Sequence, residues 1–337
     1  MKGKAAMALS TKEIAKLAGV SDATVSRVIN NHPSVAPDTK ARVESVINQY
    51  GYMRNMVARG LRRQQSDIIG VIIPDITNEF FARIVLSVQD ALLNHGYLVV
   101  MCNIKENDSL EEASLKMLKA QSIAGLIYIS GRSSGDMAPQ SGVPTIYIDR
   151  DPVSAWETNA ALITSDNREG GRLAARELIE KGCKRIAILT DKRKVSTYTD
   201  RYEGWREVLL AAGLPVDPRL VLKLDEITFD QAQKQVTDLV ASGQSFDGLF
   251  CANDTVAVGA LTALHRLGVS VPKQVKVIGF DDTSIAQQCS KPLTTIRQKT
   301  DEMGRMAVDA LLDLMVKGMA KSHQHILPVE LIRRTTT

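Results

Sequence analysis

Polar residues recur just beyond short apolar runs along most of this 337-residue sequence. Asp75 with Asn78, Asn103, Ser130, Asp149-Arg150, Asn253-Asp254 and Asp281-Asp282 each follow such a run. The set supplies carboxylates, amides and a guanidinium, with no His or Cys among them. Covalent or metal-assisted catalysis needs a nucleophile beside a base, or a ligand set, so the chain reads as no enzyme. A hydroxyl donates to Asp and accepts from Arg or Asn, so these groups suit a ligand dense in hydroxyls. Loops are polar in any protein, and one such residue means little; recurrence at the same edge of a sheet carries the reading. Phe80-Phe81 beside Asn78 offers either a flat face for the C–H side of a sugar ring or packing at a helix start.

A different chemistry sits at the N-terminus. Residues 1–65 carry eleven Lys/Arg against four acids, a charge of +7 that leaves −3 for the rest of a chain whose total is +4. Concentrated positive charge on a small unit is the footprint of a phosphate-binding surface. Ser10 and Glu13 form a capping box that opens a helix with Ile14, Leu17 and Ala18 on its inner face. Gly19-Val20-Ser21 then makes a short turn, and Ser21 caps a second helix with Val25, Val28 and Ile29 inward. After a break at Pro33-Ser34, Pro37 starts a third helix that turns Val43, Val46, Ile47 and Tyr50 inward. Three short helices with a tight first turn fit a helix-turn-helix head. The outer face of the second helix, Asp22, Ala23, Ser26, Arg27 and Asn30, is small or polar and suits the major groove. Thr24 and Ser26 can donate to phosphates. Asp22 either accepts from a cytosine amino group or caps the helix.

Beyond residue 66 the pattern becomes alternating strands and helices. Strand-like runs cover 68–73, 97–101, 125–129, 145–148, 162–164, 185–189, 248–251 and 275–278, with helical patterns such as 81–94 and 169–181 between them. This predicts parallel sheets covered on both faces, in two doubly wound lobes. Ligands of such sheets sit at the carboxyl ends of the strands. Glu169-Gly170-Gly171 is not a dinucleotide fingerprint and no P-loop occurs, so nucleotide chemistry gains no support. Cys102, Cys183, Cys251 and Cys289 are too scattered for a metal site or a disulfide framework, and His323 and His325 have no acidic or thiol partner nearby. No apolar run approaches the roughly 20 residues of a membrane span. The first ten residues lack the apolar core of a secretory signal, so a cytoplasmic location is expected, without membrane, metal or cofactor.

The string TKEIAKLAGVSDATVSRVIN, followed by NMVARGL, closely resembles the lactose-repressor/galactose-repressor family of bacterial transcriptional regulators, and the resemblance runs along essentially the whole chain. It implies a head over 1–54, a hinge helix and linker over 55–66, and a periplasmic-binding-protein-like core over 67–337. The first lobe would take about 67–164 plus 298–325, the second about 165–297 plus 326–334. By this resemblance Asp22, Ala23 and Arg27 read bases, and residues 55–61, from Asn55, form a hinge helix with Ala58 and Leu61 in the minor groove. Leu61 acts there as an apolar wedge. Arg54 and Gly60 depart from the family pattern, where a proline and a better helix former are usual. The core also resembles ribose repressors and periplasmic ribose-binding proteins. The matching positions are Asn78, Phe80 and Phe81 in ITNEFFARI, Asp149 and Arg150 in IYIDRDP, Arg201 in TDRYEGW, Asn253 in CANDTVAVG, Asp281 in VIGFDDTS and Gln298 in TIRQKT. Phe229 is the loosely aligned aromatic of the second lobe. The implied partners are a palindromic operator, a second copy of the chain in a dimer without further assembly, and D-ribose or a close pentose as effector. Another monosaccharide, a sugar acid or a purine stays open, as does a ligand required for DNA binding rather than opposing it.

Overall fold

The computed structural model describes residues 9–29, 32–50, 66–129, 143–151, 160–193, 195–318 and 324–337. The chain divides into two units, 1–64 and 65–337. Asn30, the hinge residues Asn55, Ala58 and Leu61, and Ser130 lie outside the described residues.

In the first unit, α1 (Thr11–Ala18) opens on the expected reciprocal cap. Ser10 Oγ accepts from the Glu13 N–H, and Glu13 returns its carboxylate to the Ser10 N–H at 2.7 Å. Gly19 ends the helix at φ 64°, a left-handed conformation that glycine adopts without steric cost. Helices α2 (Asp22–Ile29) and α3 (Pro37–Tyr50) complete the head. Ile14, Ala15, Ala18, Val25, Val28 and Val43 make its core. Two expectations need correction. Leu17 is 49% exposed and Tyr50 50% exposed. The buried stripe of α1 runs through Ile14, Ala15 and Ala18, which rotates Leu17 off the inner face. Tyr50 is the last residue of α3, beyond the reach of the other two helices.

The second unit holds two six-stranded sheets. In chain order its elements are β1 (Ile68–Ile73), α4 (Glu79–Asn94), β2 (Leu98–Asn103), α5 (Asp108–Ala120), β3 (Gly125–Ile129), β4 (Thr145–Ile148) and β5 (Ala160–Ser165). Then come α6 (Asn167–Glu180), β6 (Ile186–Asp191), α7 (Ser196–Ala211), β7 (Val221–Leu224), α8 (Phe229–Ala241), β8 (Gly248–Cys251) and α9 (Asp254–Arg266). The chain ends with β9 (Lys276–Asp281), α10 (Ser284–Gln288), β10 (Thr294–Arg297), α11 (Thr300–Lys317), β11 (Gln324–Leu327) and β12 (Glu330–Ile332). The first sheet has the order β11-β5-β4-β3-β1-β2 and is parallel throughout. The second has the order β12-β10-β9-β8-β6-β7, with β12 antiparallel at its edge.

The inner strands of each sheet are buried on both faces, which is why they read as continuous apolar runs. Ile69, Val71 and Ile73 of β1 pack with Phe80, Ile84 and Val88 of α4, while Ile72 on the opposite face packs with Leu118 of α5. Helix α11 returns to the first lobe and buries Met303, Ala307, Val308, Leu311 and Leu314 in its core. In the second lobe one face is covered from α8 and α9, the other from α6 and α7. The chain therefore passes between lobes three times, after β5, β10 and β11, and the expected boundary at 325 falls inside β11. Among the described residues no helix is long and apolar enough to cross a membrane.

Candidate effector site and DNA-reading face

The turn before α2 settles one of the two roles considered for Asp22. Ser21 Oγ accepts from the Thr24 N–H at 3.2 Å and pairs with Thr24 Oγ1 at 2.9 Å, so Ser21 is the cap. Asp22, Ala23, Ser26 and Arg27 are exposed on one side, Thr24 is half-buried, and Val25 and Val28 face the core. A small, polar, solvent-facing strip on the second helix of a helix-turn-helix is the surface that enters a groove.

In the second unit, strand ends from both sheets converge. Asp149 directly follows β4 at φ 76° and is buried. Its N–H donates to the Ile163 carbonyl and its carbonyl accepts from Thr164 Oγ1. Arg150 is also buried, with Nη2 donating to Glu106 Oε1 at 3.0 Å and Nε without a partner among the described residues. From the second lobe, Arg201 on α7 donates to Asn167 Oδ1 at 2.8 Å and to the Ala252 carbonyl at 2.6 Å. Its guanidinium lies 3.6 Å from the Phe280 ring centroid and 3.9 Å from Asp281 Oδ1. Gln298, at the second crossing, donates to Asp281 Oδ1 at 2.7 Å, and its own Oε1 has no partner among the described residues. Arg201, Asp281 and Gln298 thus form one bonded group, with Asp149 and Arg150 supplied by the other lobe.

The remaining predicted residues have local tasks. Asn78 caps α4 through Oδ1, which accepts from the Phe80 N–H at 3.0 Å, and Asn253 caps α9 by accepting from Val256 at 2.9 Å. Each keeps its amide NH2 for other use. Phe80 and Phe81 both pack into the first-lobe core, ring edge to ring face at 5.2 Å. Phe229 opens α8, half-buried, and among the described residues no ring contact joins it to the group. Two of the strand-end acids turn elsewhere. Asp254 accepts from the Thr283 N–H and from the hydroxyls of Thr283 and Thr295, and Asp282 pairs with Arg297 and Arg334. Both brace the second lobe.

Residues the sequence reading passed over prove central. Asn167 orients Arg201, and Tyr198 lies within 5.4 Å of the Arg201 guanidinium. The i, i+3 spacing of Tyr198 and Arg201 was a visible signal that they share a helix face. Glu106, in the loop after β2, bonds Arg150 on one side and Arg193 of the second lobe on the other; Arg193 is clasped in turn by Asp191. A charge chain Arg150–Glu106–Arg193–Asp191 therefore crosses from lobe to lobe. Glu79, bonded to the Ser284 N–H at 2.8 Å, makes a second crossing contact. Among the described residues no three His, Cys, Asp or Glu are grouped to hold a metal ion.

Residues 10–55 match the model of bacterial regulatory proteins, lacI family, and residues 175–337 that of the periplasmic binding protein-like domain. The chain is 34% identical to the HTH-type transcriptional regulator RegA of Clostridium saccharobutylicum, over 98% of this chain and 100% of that protein. The chain belongs to the lacI family of bacterial regulatory proteins. This lacI-family member is also 32% identical to the ribose operon repressor of Halalkalibacterium halodurans, over 97% of this chain and 96% of the other. Among solved structures it is similar to the lac repressor dimer bound to operator and the anti-inducer ONPF, with a TM-score of 0.84 and 27% identity over 98% and 99% of the two chains. As a lacI-family transcriptional repressor it joins a helix-turn-helix head to a two-lobed, ligand-sensing α/β core.

Burial pushes the Asp281 carboxyl up to about 8, against the pull of Arg201, and pushes Asp254 up to about 7. Both acids titrate near 4 when unfolded. Their contribution to stability is therefore fully present below pH 4 and is lost as pH rises towards 8. Asp281→Asn removes one of the two titrations while keeping an acceptor for Gln298. The unfolding temperature of the variant should fall less than that of the unaltered chain between pH 6 and pH 9. At pH 9 the variant should melt about 2–4 °C higher, the effect of roughly 1 kcal/mol in a domain of this size. Parallel pH profiles from thermal melts would show that Asp281 is protonated in the fold at neutral pH.

Proposed function

We propose that this repressor controls a sugar-utilisation operon and leaves its palindromic operator when a monosaccharide, D-ribose or a close pentose, binds between the lobes. The observation that carries the reading is the buried group of Asp149, Arg150, Arg201, Asp281 and Gln298 at the facing strand ends. It mixes donors with acceptors, and the unmatched Arg150 Nε and Gln298 Oε1 ask for a ligand carrying both on adjacent atoms. A polyol does so, since each hydroxyl donates and accepts. The amides of Asn78 and Asn253 add polar edges, Phe80, Phe81 and Phe229 add apolar surface, and the likeness to a ribose operon repressor supports a pentose.

On the DNA side, Asp22, Ala23 and Arg27 read bases, while Ser21, Thr24, Ser26 and Asn30 position the helix on the backbone. Asn55, Ala58 and Leu61 belong to a hinge that enters the minor groove. Two heads in a homodimer match the two half-sites of an inverted repeat. Sugar binding closes the lobes, and closure in the dimer separates the hinges.

The test is fluorescence anisotropy on a duplex carrying the inverted repeat from the gene's own neighbourhood. Saturating D-ribose should weaken operator binding about tenfold or more, within the usual 1–3 kcal/mol of coupling. Unchanged or tighter binding with D-ribose, when another pentose, a hexose or a purine does weaken it, would reassign the effector.

A further inference from the structure

The second lobe contains a separate cavity of about 350 Å³ between the carboxyl end of β6, the segment 216–223 that leads into and through β7, and the first two turns of α7. Its size lies at the small end of metabolite pockets, enough for a sugar-sized body and too small for a dinucleotide. Three cations line it, Lys192, Arg193 and Lys223, against one carboxylate, Asp191. Asp191 is already neutralised by Arg193, its side chain fully enclosed. Lys192 pairs with Asp225 outside the lining, but both are about two-thirds exposed (66% each), so the pair is weak and exchangeable. Lys223 is exposed and makes no hydrogen bond or ion pair among the described residues. The lining is thus left with an excess of two positive charges, the complement of a dianion.

The rest of the lining suits what such an anion would be attached to. Tyr198 and Tyr202, at i and i+4 on α7, present two rings on one side, and the Thr199 hydroxyl lies between them in sequence. A phosphate monoester carries close to two negative charges at neutral pH and accepts from Lys and Arg. A single carboxylate would leave half of the excess unmatched. We infer that this cavity binds a small organic phosphate, with Lys192, Arg193 and Lys223 holding the phosphate and the tyrosine rings covering the carbon body. The site stands apart from the proposed effector group, which it meets only along Tyr198 and, through Arg193, at the inter-lobe charge chain. The inference does not depend on the effector being a pentose.

Isothermal titration of the full chain with D-ribose 5-phosphate, glycerol 3-phosphate and inorganic phosphate tests it, at low ionic strength. The organic phosphates should bind saturably, about tenfold or more tighter than inorganic phosphate, since only they meet the rings. Lys223→Glu should weaken them at least tenfold while leaving operator binding and the thermal melt as they were. Gln298→Ala, which alters the effector group, should leave their binding intact. No saturable binding by either ester overturns the inference. So does undiminished binding to Lys223→Glu, or binding lost in Gln298→Ala, either of which places the anion elsewhere. Equal affinity for inorganic phosphate and the esters overturns the role given to the rings.

Discussion

Arg150→Ala should abolish the response to D-ribose while leaving operator affinity within about threefold of the unaltered protein. Arg150 is buried and shares Glu106 with Arg193. A hydrogen bond made by a charged group is worth about 1.5–3 kcal/mol, which places the loss of sugar affinity at roughly 10-fold to 150-fold. The head is untouched, so apo-protein should still find its operator. Arg150→Lys separates charge from shape: lysine keeps a cation beside Glu106 but lacks the planar fork. Its thermal stability should approach that of the unaltered chain, with sugar affinity still poor. Titration calorimetry with D-ribose and operator anisotropy on the same preparations give both numbers. A parallel loss of operator and sugar binding in Arg150→Ala would make this residue a structural strut instead.

The largest expected loss of stability comes from two glycines that never face the ligand. A Cβ on Gly204 would sit 1.9 Å from the Arg168 carbonyl oxygen, and one on Gly171 would sit 2.1 Å from the Arg201 carbonyl oxygen. The obstacles are backbone atoms, so no rotamer change relieves them, and α6 and α7 would have to move apart. Either Gly204→Ala or Gly171→Ala should cost about 3 kcal/mol or more, the upper range for overpacking, and lower the unfolding temperature by roughly 6–12 °C. Because α7 carries Tyr198 and Arg201, and α6 begins with Asn167, sugar affinity should fall with stability. Gly70→Ala is the control: its Cβ would meet only side-chain methyls of Leu118 and Ile123, and about 1 kcal/mol is expected there. A Gly204→Ala protein as stable as the unaltered chain would mean the helices are not in this close contact.

These glycines show where reading the sequence stopped. Gly170-Gly171 stood out, but only as a failed nucleotide fingerprint; its use depends on a partner, Gly204, more than thirty residues away. The strands 68–73, 125–129, 145–148 and 248–251 were legible to the residue, because burial on both faces leaves an unbroken apolar run. β7, β10, β11 and β12 were not. They have three or four residues each and carry Lys, Thr, Arg, Gln or Glu. In β10 the buried Thr294 and Thr295 are satisfied by Thr336 and Asp254, partners that no local pattern announces. The candidate site was legible wherever a strand end fixes the position, as at Asp149 and Asp281. The choice of partner was not: strand-end logic treated Asp254 and Asp282 like Asp281, and only the tertiary fold turns two of them into braces. Glu106 was missed because it lies three residues past its strand, in a loop whose path follows no periodicity.

The threefold passage of the chain between lobes bears on how the protein is made. The first sheet has β11 as its edge strand and α11 in its core, so it cannot finish until the ribosome has travelled from β5 past residue 327. At about 5–20 residues per second that delay is on the order of 10–30 s, during which Ile163, Ile129 and their neighbours lack a cover. The helical head needs no such wait, since its whole apolar cluster comes from residues 9–47. A nascent chain therefore carries a finished reader ahead of an unfinished sensor, and a nonsense codon near residue 300 would ruin the earliest-made lobe along with the latest.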